Sequence, residues 1–365
     1  GAPSGTPPGY VDKDLLAYWE AKDPLPTHRD LLLSLGIKEA TLAGMEEEEK
    51  AFVEDGRAAM EGMPWPEGDS VRYGVTTLHD ADSHAMQIGR LSTPAEGVGQ
   101  SIENGQLTLT FSDEANAWSY SRAIQNGMVA IAERYGASAV FMGEDMEISG
   151  AFGMNVPLKN QGHSDLLLDM PLSEAVIVHA ATGAALGGMR PVAEIQFGGF
   201  AALAMNALIN NAAQLRWRWG ADVPMVVRIP LGAKTRSGPF HANMIESWFL
   251  NDPGLVIVFP SNPQDAYDLL VEAAALPDPV VFLEHLGMYG LRGGMTGWGD
   301  RIHMQVDTES VAKSIESGDT YKLGKANVVR GGSDATIVTW GAMVHVALKA
   351  ADVLSSEGTE IEVID

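Results

Sequence analysis

The chain has 365 residues, 45% of them hydrophobic, and carries 24 Lys+Arg against 48 Asp+Glu, a formal net charge of -24. So acidic a protein repels nucleic-acid phosphates and anionic membrane surfaces, and the charge reads as solubility, as in a salty habitat. The absence of Cys excludes a disulfide framework, a thiolate zinc site and a Cys nucleophile.

That length allows two or three domains with a sizeable core. No apolar run approaches the ~20 residues that would span a bilayer, and Gly1–Tyr10 is rich in Pro and Gly without a basic, apolar leader. A reducing, cytoplasmic setting is the expectation. The chain starts without Met and stops inside a strand-like run, Glu360–Asp365, so a piece of a longer protein is expected.

In chain order, apolar residues at helical spacing predict helices over Asp14–Glu20 and Thr27–Leu35, with Thr27 a candidate cap and Gly36 a stop. A third helix is expected over Lys38–Glu61, with Glu46–Glu49 on a solvated face and Pro64-Trp65-Pro66 beyond it. From Glu67 to about Gly105 the composition turns to Gly, Ser, Asp and Thr, which predicts a linker or extended arm.

Beyond Leu107 helices and strands alternate. Ile124, Met128, Ile131 and Tyr135 share one helical face, and Ser138–Met142 reads as a strand closing in Gly143-Glu144-Asp145. A small-residue helix is predicted from Ser173 through Ala185, a strand over Val192–Phe197, and a helix marked by Met205, Leu208, Ile209, Ala212 and Leu215. Strands follow at Met225–Ile229, Leu255–Phe259 and Val280–Leu283, with a polar loop from Leu231 to His241 and a helix over Pro263–Ala275. Near-continuous apolar strands between helices mean a parallel sheet covered on both faces, an α/β fold. Arg292–Tyr321 reads as a second linker. Asn327–Arg330, Ala335–Trp340, a helix over Met343–Leu354 and Glu360–Asp365 then open another α/β unit.

Ligands of parallel sheets gather at the carboxyl ends of the strands. Three polar clusters lie at such ends: Glu144-Asp145, Glu174, and the loop ending Phe240-His241-Ala242-Asn243. By itself Glu174 fits a carboxylate capping a helix N-terminus, and a lone His241 fits a hydrogen-bonded loop residue. His79 and His84, with Asp80 and Asp82 between them, lie in the Gly/Ser/Asp-rich stretch and read as solvated polar residues; no metal site is expected.

The run from about Leu107 to Tyr289 resembles the β subunit of the E1 component of 2-oxo acid dehydrogenases, a transketolase-like pyrimidine-binding domain. The resemblance is carried by Gly143-Glu144-Asp145; by Pro171-Leu172-Ser173-Glu174-Ala175 with Gly183 through Phe197; and by Asn210 to Arg218. It continues through Pro253-Gly254-Leu255-Val256, Pro260 to Ala266, and Pro279 to His285. Leu323-Gly324-Lys325-Ala326 and Ile337 to Val344 resemble the opening of that family's C-terminal domain, and Trp19, Asp23 to Pro26, Arg29, Leu32 and Gly36 look like the end of its α subunit. The implied organisation is a fused E1: a helical α-like tail over 1–66, an arm over 67–105, the pyrimidine-binding domain over 106–291, a linker over 292–322, and the start of the C-terminal domain over 323–365.

What the resemblance implies for chemistry can be placed on residues. Glu174 matches the glutamate that hydrogen-bonds the aminopyrimidine ring of thiamine diphosphate and favours its imino tautomer. Leu172 would pack near the bent cofactor, and Phe200 matches the aromatic residue stacked on the pyrimidine. Gln196 stands among the cofactor-binding candidates. Glu144 matches an acidic residue that relays protons between paired active sites, and His241 the loop histidine that assists with substrate or the incoming lipoyl group. Many relatives have Ser-Gln or Ser-Asp after that histidine, where this chain has Ala242-Asn243, so the contacts around it differ. The Gly-Asp-Gly…Asn pattern for diphosphate and Mg²⁺ is missing. The implied partners are an α-type domain or a homo-oligomer completing the site and a lipoyl-bearing E2, with no nucleic acid and no membrane. The implied activity is oxidative decarboxylation of pyruvate or a branched-chain 2-oxo acid. A transketolase-type enzyme and a non-catalytic assembly subunit with the same fold are the alternatives.

Overall fold

A computed structural model describes residues 12–64, 117–232, 239–251, 253–289 and 303–365. Two units separate along the chain, residues 1–96 and 97–365. The arm expected over 67–105, His79 and His84, residues 292–302 and most of the 231–241 loop lie outside the described residues.

The first unit supplies helices α1 (Lys13–Glu20), α2 (Pro24–Ser34) and α3 (Glu39–Glu61). The Asp12 carboxylate accepts from the backbone N–H of Asp14 and Leu15 at 2.8 and 3.2 Å and so caps α1. Helix α2 begins earlier than its apolar spacing predicts. Asp23, not Thr27, is the cap, accepting from Leu25 N–H at 2.8 Å. Pro24 and Pro26 then occupy the first turn, where their missing N–H groups cost nothing. Arg29 reaches both Glu39 and Glu46, fastening α2 to α3.

The second unit is built on a six-stranded, all-parallel sheet in the order β3-β2-β4-β5-β7-β6. Its strands are β2 (Ala139–Gly143), β3 (Leu167–Asp169), β4 (Arg190–Glu194), β5 (Val226–Leu231), β6 (Val256–Val258) and β7 (Val280–His285). Side chains alternate between faces with a period of two. Val226, Val280 and Phe282 thus enter one core beneath α4 (Tyr120–Tyr135) and α9 (Pro263–Ala275). Val227, Val281 and Leu283 enter a second core with Ile177, Val178 and Ala181 of α6 (Glu174–Leu186). This is the expected α/β fold with helices on both faces.

Three segments depart from the expectation. Strand β3 was not anticipated, since three residues carry no readable period. The helix predicted through Met205–Leu215 is broken: α7 (Ala201–Met205) widens into a π-turn over Asn206–Asn211 before α8 (Leu215–Trp219). Along this stretch Asn210 Nδ2 donates to Asn206 Oδ1 at 2.9 Å, and Asn211 pairs with the His179 ring at 3.0 Å. The stretch read as a second linker holds structure in its described part. There β8 (His303–Gln305) pairs antiparallel with β1 (Ala117–Ser119), and α10 (Glu309–Ser317) buries Val311. Glu272 of α9 then accepts from the backbone N–H of Tyr321, Lys322 and Leu323 at 2.7, 2.8 and 3.1 Å, holding this stretch against the domain.

The last residues form a small sheet, order β10-β11-β9, from β9 (Val328–Arg330), β10 (Ala335–Val338) and β11 (Ile361–Ile364), covered by α11 (Met343–Ser356). No helix among the described residues is long and apolar enough to cross a membrane.

The centre of the large sheet is charged. Arg228 of β5, fully buried, donates to Glu284 of β7 at 2.6 and 2.9 Å and to Glu194 of β4 at 2.8 Å. The Tyr289 hydroxyl also donates to Glu284. Removing one partner of a buried pair strands the others without compensation, at a cost of ~3–5 kcal/mol. Arg228→Met is therefore expected to lower unfolding free energy by about that amount, read from urea denaturation. A loss within the ~0.5 kcal/mol typical of surface changes would show that the charges are not coupled.

Candidate functional site

The chain leaves β2 toward β3 on one side and returns across it to β4 on the other. Connections from β2 and β4 therefore diverge and open a crevice at the carboxyl edge, the point where open α/β sheets bind ligands. The strand ends lining that edge carry the candidate residues.

From β2 the chain passes through Gly143 into Glu144-Asp145. A Cβ at Gly143 would lie 3.0 Å from the Glu194 carbonyl oxygen and 3.2 Å from Glu194 Cβ, so only Gly lets β2 and β4 approach this closely here. Asp145 adopts φ 58°, a costly conformation for a residue with a side chain. Gln196 spans the crevice, its amide within 3.4 Å of the Glu144 carbonyl and 3.3 Å of Asp145 Oδ2.

Glu174 opens α6. Its residue is 4% exposed, and Oε2 is buried with no hydrogen-bond partner among the described residues. Burial without a partner is expensive for a carboxylate, and a plain helix-capping role would have left it solvated or bonded. Leu172, two residues earlier, is 81% exposed and packs on nothing described. Glu144 is half-buried, and its carboxyl is pushed above the ordinary range by burial first, then by the negative charges of Glu174, Asp145 and Glu194. Glu194 is raised too, by burial acting against the pull of Arg228.

Phe200 and His241 come together. Their ring centroids are 5.4 Å apart, and Phe197 joins them at 5.6 Å from Phe200 and 4.6 Å from His241. The backbone permits this through Gly198-Gly199, where Cβ atoms would strike Asn243 O at 2.9 Å and Asn243 Oδ1 at 2.7 Å. Each candidate except Leu172 thus touches, or electrostatically senses, another member of the group: Gln196 with Glu144, Glu144 with Glu174, Phe200 with His241. Among the described residues no cluster of His, Cys, Asp and Glu could hold a metal ion.

Sequence reasoning missed Glu194, Arg228, Glu284, Phe152, Phe197 and Tyr289. A signal was present. Val-Ala-Glu-Ile, Val-Val-Arg-Ile and Phe-Leu-Glu-His each place a charged residue inside an apolar strand, one positive and two negative. Phe152 had no such signal. Its φ of 58° and its place between Phe197 and Tyr289 are tertiary facts.

The chain is similar to known proteins over much of its length. Residues 116–290 match the family model "Transketolase, pyrimidine binding domain" and 324–365 match "Transketolase, C-terminal domain". The β subunit of acetoin:2,6-dichlorophenolindophenol oxidoreductase of Cupriavidus necator is 41% identical over 205 residues, 56% of this chain and 55% of that protein. The β subunit of 2-oxoisovalerate dehydrogenase of Bacillus subtilis is 38% identical over 251 residues, 68% of this chain and 71% of the relative. The E1 β subunit of pyruvate dehydrogenase of the same species is 37% identical over 231 residues, 62% and 66% of the two chains. The chain thus spans from about half to under three quarters of the length of these relatives. A solved structure titled "Split gene transketolase, inactive beta4 tetramer" aligns with a TM-score of 0.50 at 18% identity, over 68% of this chain and 70% of that one, and shares the fold.

Beside the crevice, the loop toward His241 leaves β5 at Gly232, whose φ of 80° suits Gly and whose Cβ would lie 2.5 Å from His285 Nε2. Burial pushes the His285 ring from 6.5 down to about 4. Between those values the unfolded chain holds a proton that the folded chain does not. The contribution of this ring to stability is therefore complete above pH 6.5 and is lost as pH falls to about 4, at most ~3 kcal/mol. His285→Asn, which can still accept from Gly287 N–H, should lose stability less steeply than the parent over that window, measured by urea unfolding at several pH values. Parallel curves for the two proteins would assign the acid sensitivity elsewhere.

Proposed function

The chain belongs to the transketolase-like family of 2-oxo acid dehydrogenase E1 β subunits, and on that premise we propose that it supplies the pyrimidine half of a thiamine-diphosphate site. One observation carries the reading: Glu174, a buried carboxylate at the carboxyl edge of the sheet whose Oε2 has no partner. A ring nitrogen or amino group of the pyrimidine is the kind of hydrogen-bonding group that satisfies it. When bound, the cofactor supplies the carbon centre that accepts the electron pair released on decarboxylation.

The chain's own residues have separable tasks in this reading. Glu174 gives the pyrimidine its hydrogen bond. Phe200, half-buried, offers an aromatic face beside it, and the exposed Leu172 gains cover from a bent ligand. Gln196 steadies the Glu144-Asp145 turn. Glu144 binds its proton more tightly than an ordinary carboxyl, because burial and three acidic neighbours oppose its charge, which suits a group that passes protons. His241 faces the substrate and the incoming acyl acceptor. The diphosphate and Mg²⁺ belong to an α-type domain, and the lipoyl-bearing E2 takes the acyl group. The described helices α1 to α3 would be the tail of that α-like region, which makes the parent a fused E1.

The relatives act, by their names, on 2-oxoisovalerate, pyruvate and acetoin. A 2-oxo acid is the first choice here. An acetoin-type substrate is the second reading, favoured by the 41% identity to the Cupriavidus necator protein. Discrimination among acyl groups differing by a methylene rests on only ~1–3 kcal/mol of pocket shape.

The test is a dye-linked assay of the full-length protein with thiamine diphosphate and Mg²⁺, offering pyruvate, 2-oxoisovalerate and acetoin in turn. Glu174→Gln should reduce turnover by roughly 10²–10⁴-fold, the usual worth of a positioned proton-handling group. An unchanged rate in that variant would remove Glu174 from its role, and silence toward all three substrates in the parent would favour a non-catalytic subunit.

A further inference from the structure

We propose that Phe197 is the positioning residue for His241, holding the imidazole in the orientation the reaction needs. The inference rests on the reading that His241 works on substrate. It concerns a residue that neither the sequence nor the family comparison singles out.

Three observations converge. The first is how His241 is held. Its Nδ1 is buried with no hydrogen-bond partner among the described residues. No described hydrogen bond therefore fixes that edge of the ring, and aromatic contacts remain: Phe197 at 4.6 Å with the planes at 81°, and Phe200 at 5.4 Å and 74°. The shorter contact is to Phe197. Edge-to-face pairs of this kind prefer one mutual orientation because the ring quadrupoles are directional.

The second is that Phe197 is itself immobilised. Phe152 meets it edge-on at 5.8 Å and 84°, and Tyr289 meets Phe152 at 5.8 Å and 90°. The Tyr289 hydroxyl donates to Glu284, which is held by Arg228, which also holds Glu194. Glu194 lies three residues before Phe197 in the chain, so the circuit closes on itself. The strained φ of 58° at Phe152 is where a backbone would be expected to store the cost of placing one ring exactingly.

The third is the seating of the backbone. Gly198 and Gly199 bring the chain immediately after Phe197 against Asn243, two residues from His241. Gly232 N–H also donates to Asn243 O at 3.4 Å. The loop is pinned beside the ring pair and leaves the imidazole rotation to Phe197 and Phe200. Phe200 serves the cofactor in the reading above, so orientation of the histidine falls to Phe197.

The experiment uses the full chain with ¹³Cε1-labelled histidine, the His241 resonance being identified by its disappearance in His241→Asn. In the parent, its Hε1 should show a nuclear Overhauser contact to Phe197 ring protons and a ring-current displacement. Phe197→Leu should reduce the displacement to what the Phe200 ring supplies and remove the Phe197 contact while the other histidines stay put, and Phe197→Tyr should restore both. In the turnover assay Phe197→Leu should lower kcat by about 10-fold with KM little changed, again rescued by Tyr. The absence of the Overhauser contact in the parent, which needs no variant, would overturn the inference. So would a His241 resonance indifferent to Phe197→Leu. If the resonance behaves as expected but His241→Asn turns over normally, the positional inference stands and the functional reading of His241 falls.

Discussion

One guanidinium in the middle of the sheet constrains everything around it. Arg228 bonds Glu194 on one neighbouring strand and Glu284 on the other, with all three side chains buried. A charge in that position is tolerable only if its partners are in hydrogen-bonding register. The pairing of β4, β5 and β7 is thereby specified by electrostatics as well as by apolar alternation. A slip of one residue would turn each of these charges toward the opposite face.

The same constraint reaches the strand ends. Glu194 is the last residue of β4, and its backbone lies against Gly143 at the end of β2. Burial first, and then the negative charges of Glu174, Asp145 and Glu194, push the Glu144 carboxyl above its ordinary range. The crevice is thus an acidic site in a protein already rich in carboxylates, shaped by a topological reversal and tuned from below by the sheet's own ion pairs.

Away from this edge, polar contacts of the second unit hold its later segments in place. Glu272 on α9 gathers three backbone N–H groups, and Lys322 bridges Asp265 and Asp268 on the same helix. Farther on, Gly341 N–H donates to Phe259 O and the His345 ring bonds Ser261 O. These contacts tie the described part of the C-terminal sheet to the domain that holds the crevice. They hold Tyr321, Lys322 and Leu323 against the domain where composition alone argues for a linker.

Much of this was legible in the residues themselves. Apolar strands alternating with helices determine a covered parallel sheet, because hydrophobic period and length are local properties. The position of Glu174 at a helix onset was legible in the same way. Other features were not legible. Strand β3 is too short to carry a period, the π-turn over Asn206–Asn211 interrupts a helix whose apolar spacing runs through it, and Phe152 meets Phe197 only after a distant loop folds back. What the sequence alone determined was most of the strands and helices of the large sheet and the carboxylate at the onset of α6. What only the tertiary structure decided was which side chains meet. Ion pairing, ring contacts and the burial of an unpaired oxygen depend on distances between residues far apart in the chain, and the order of strands across the sheet sets those distances.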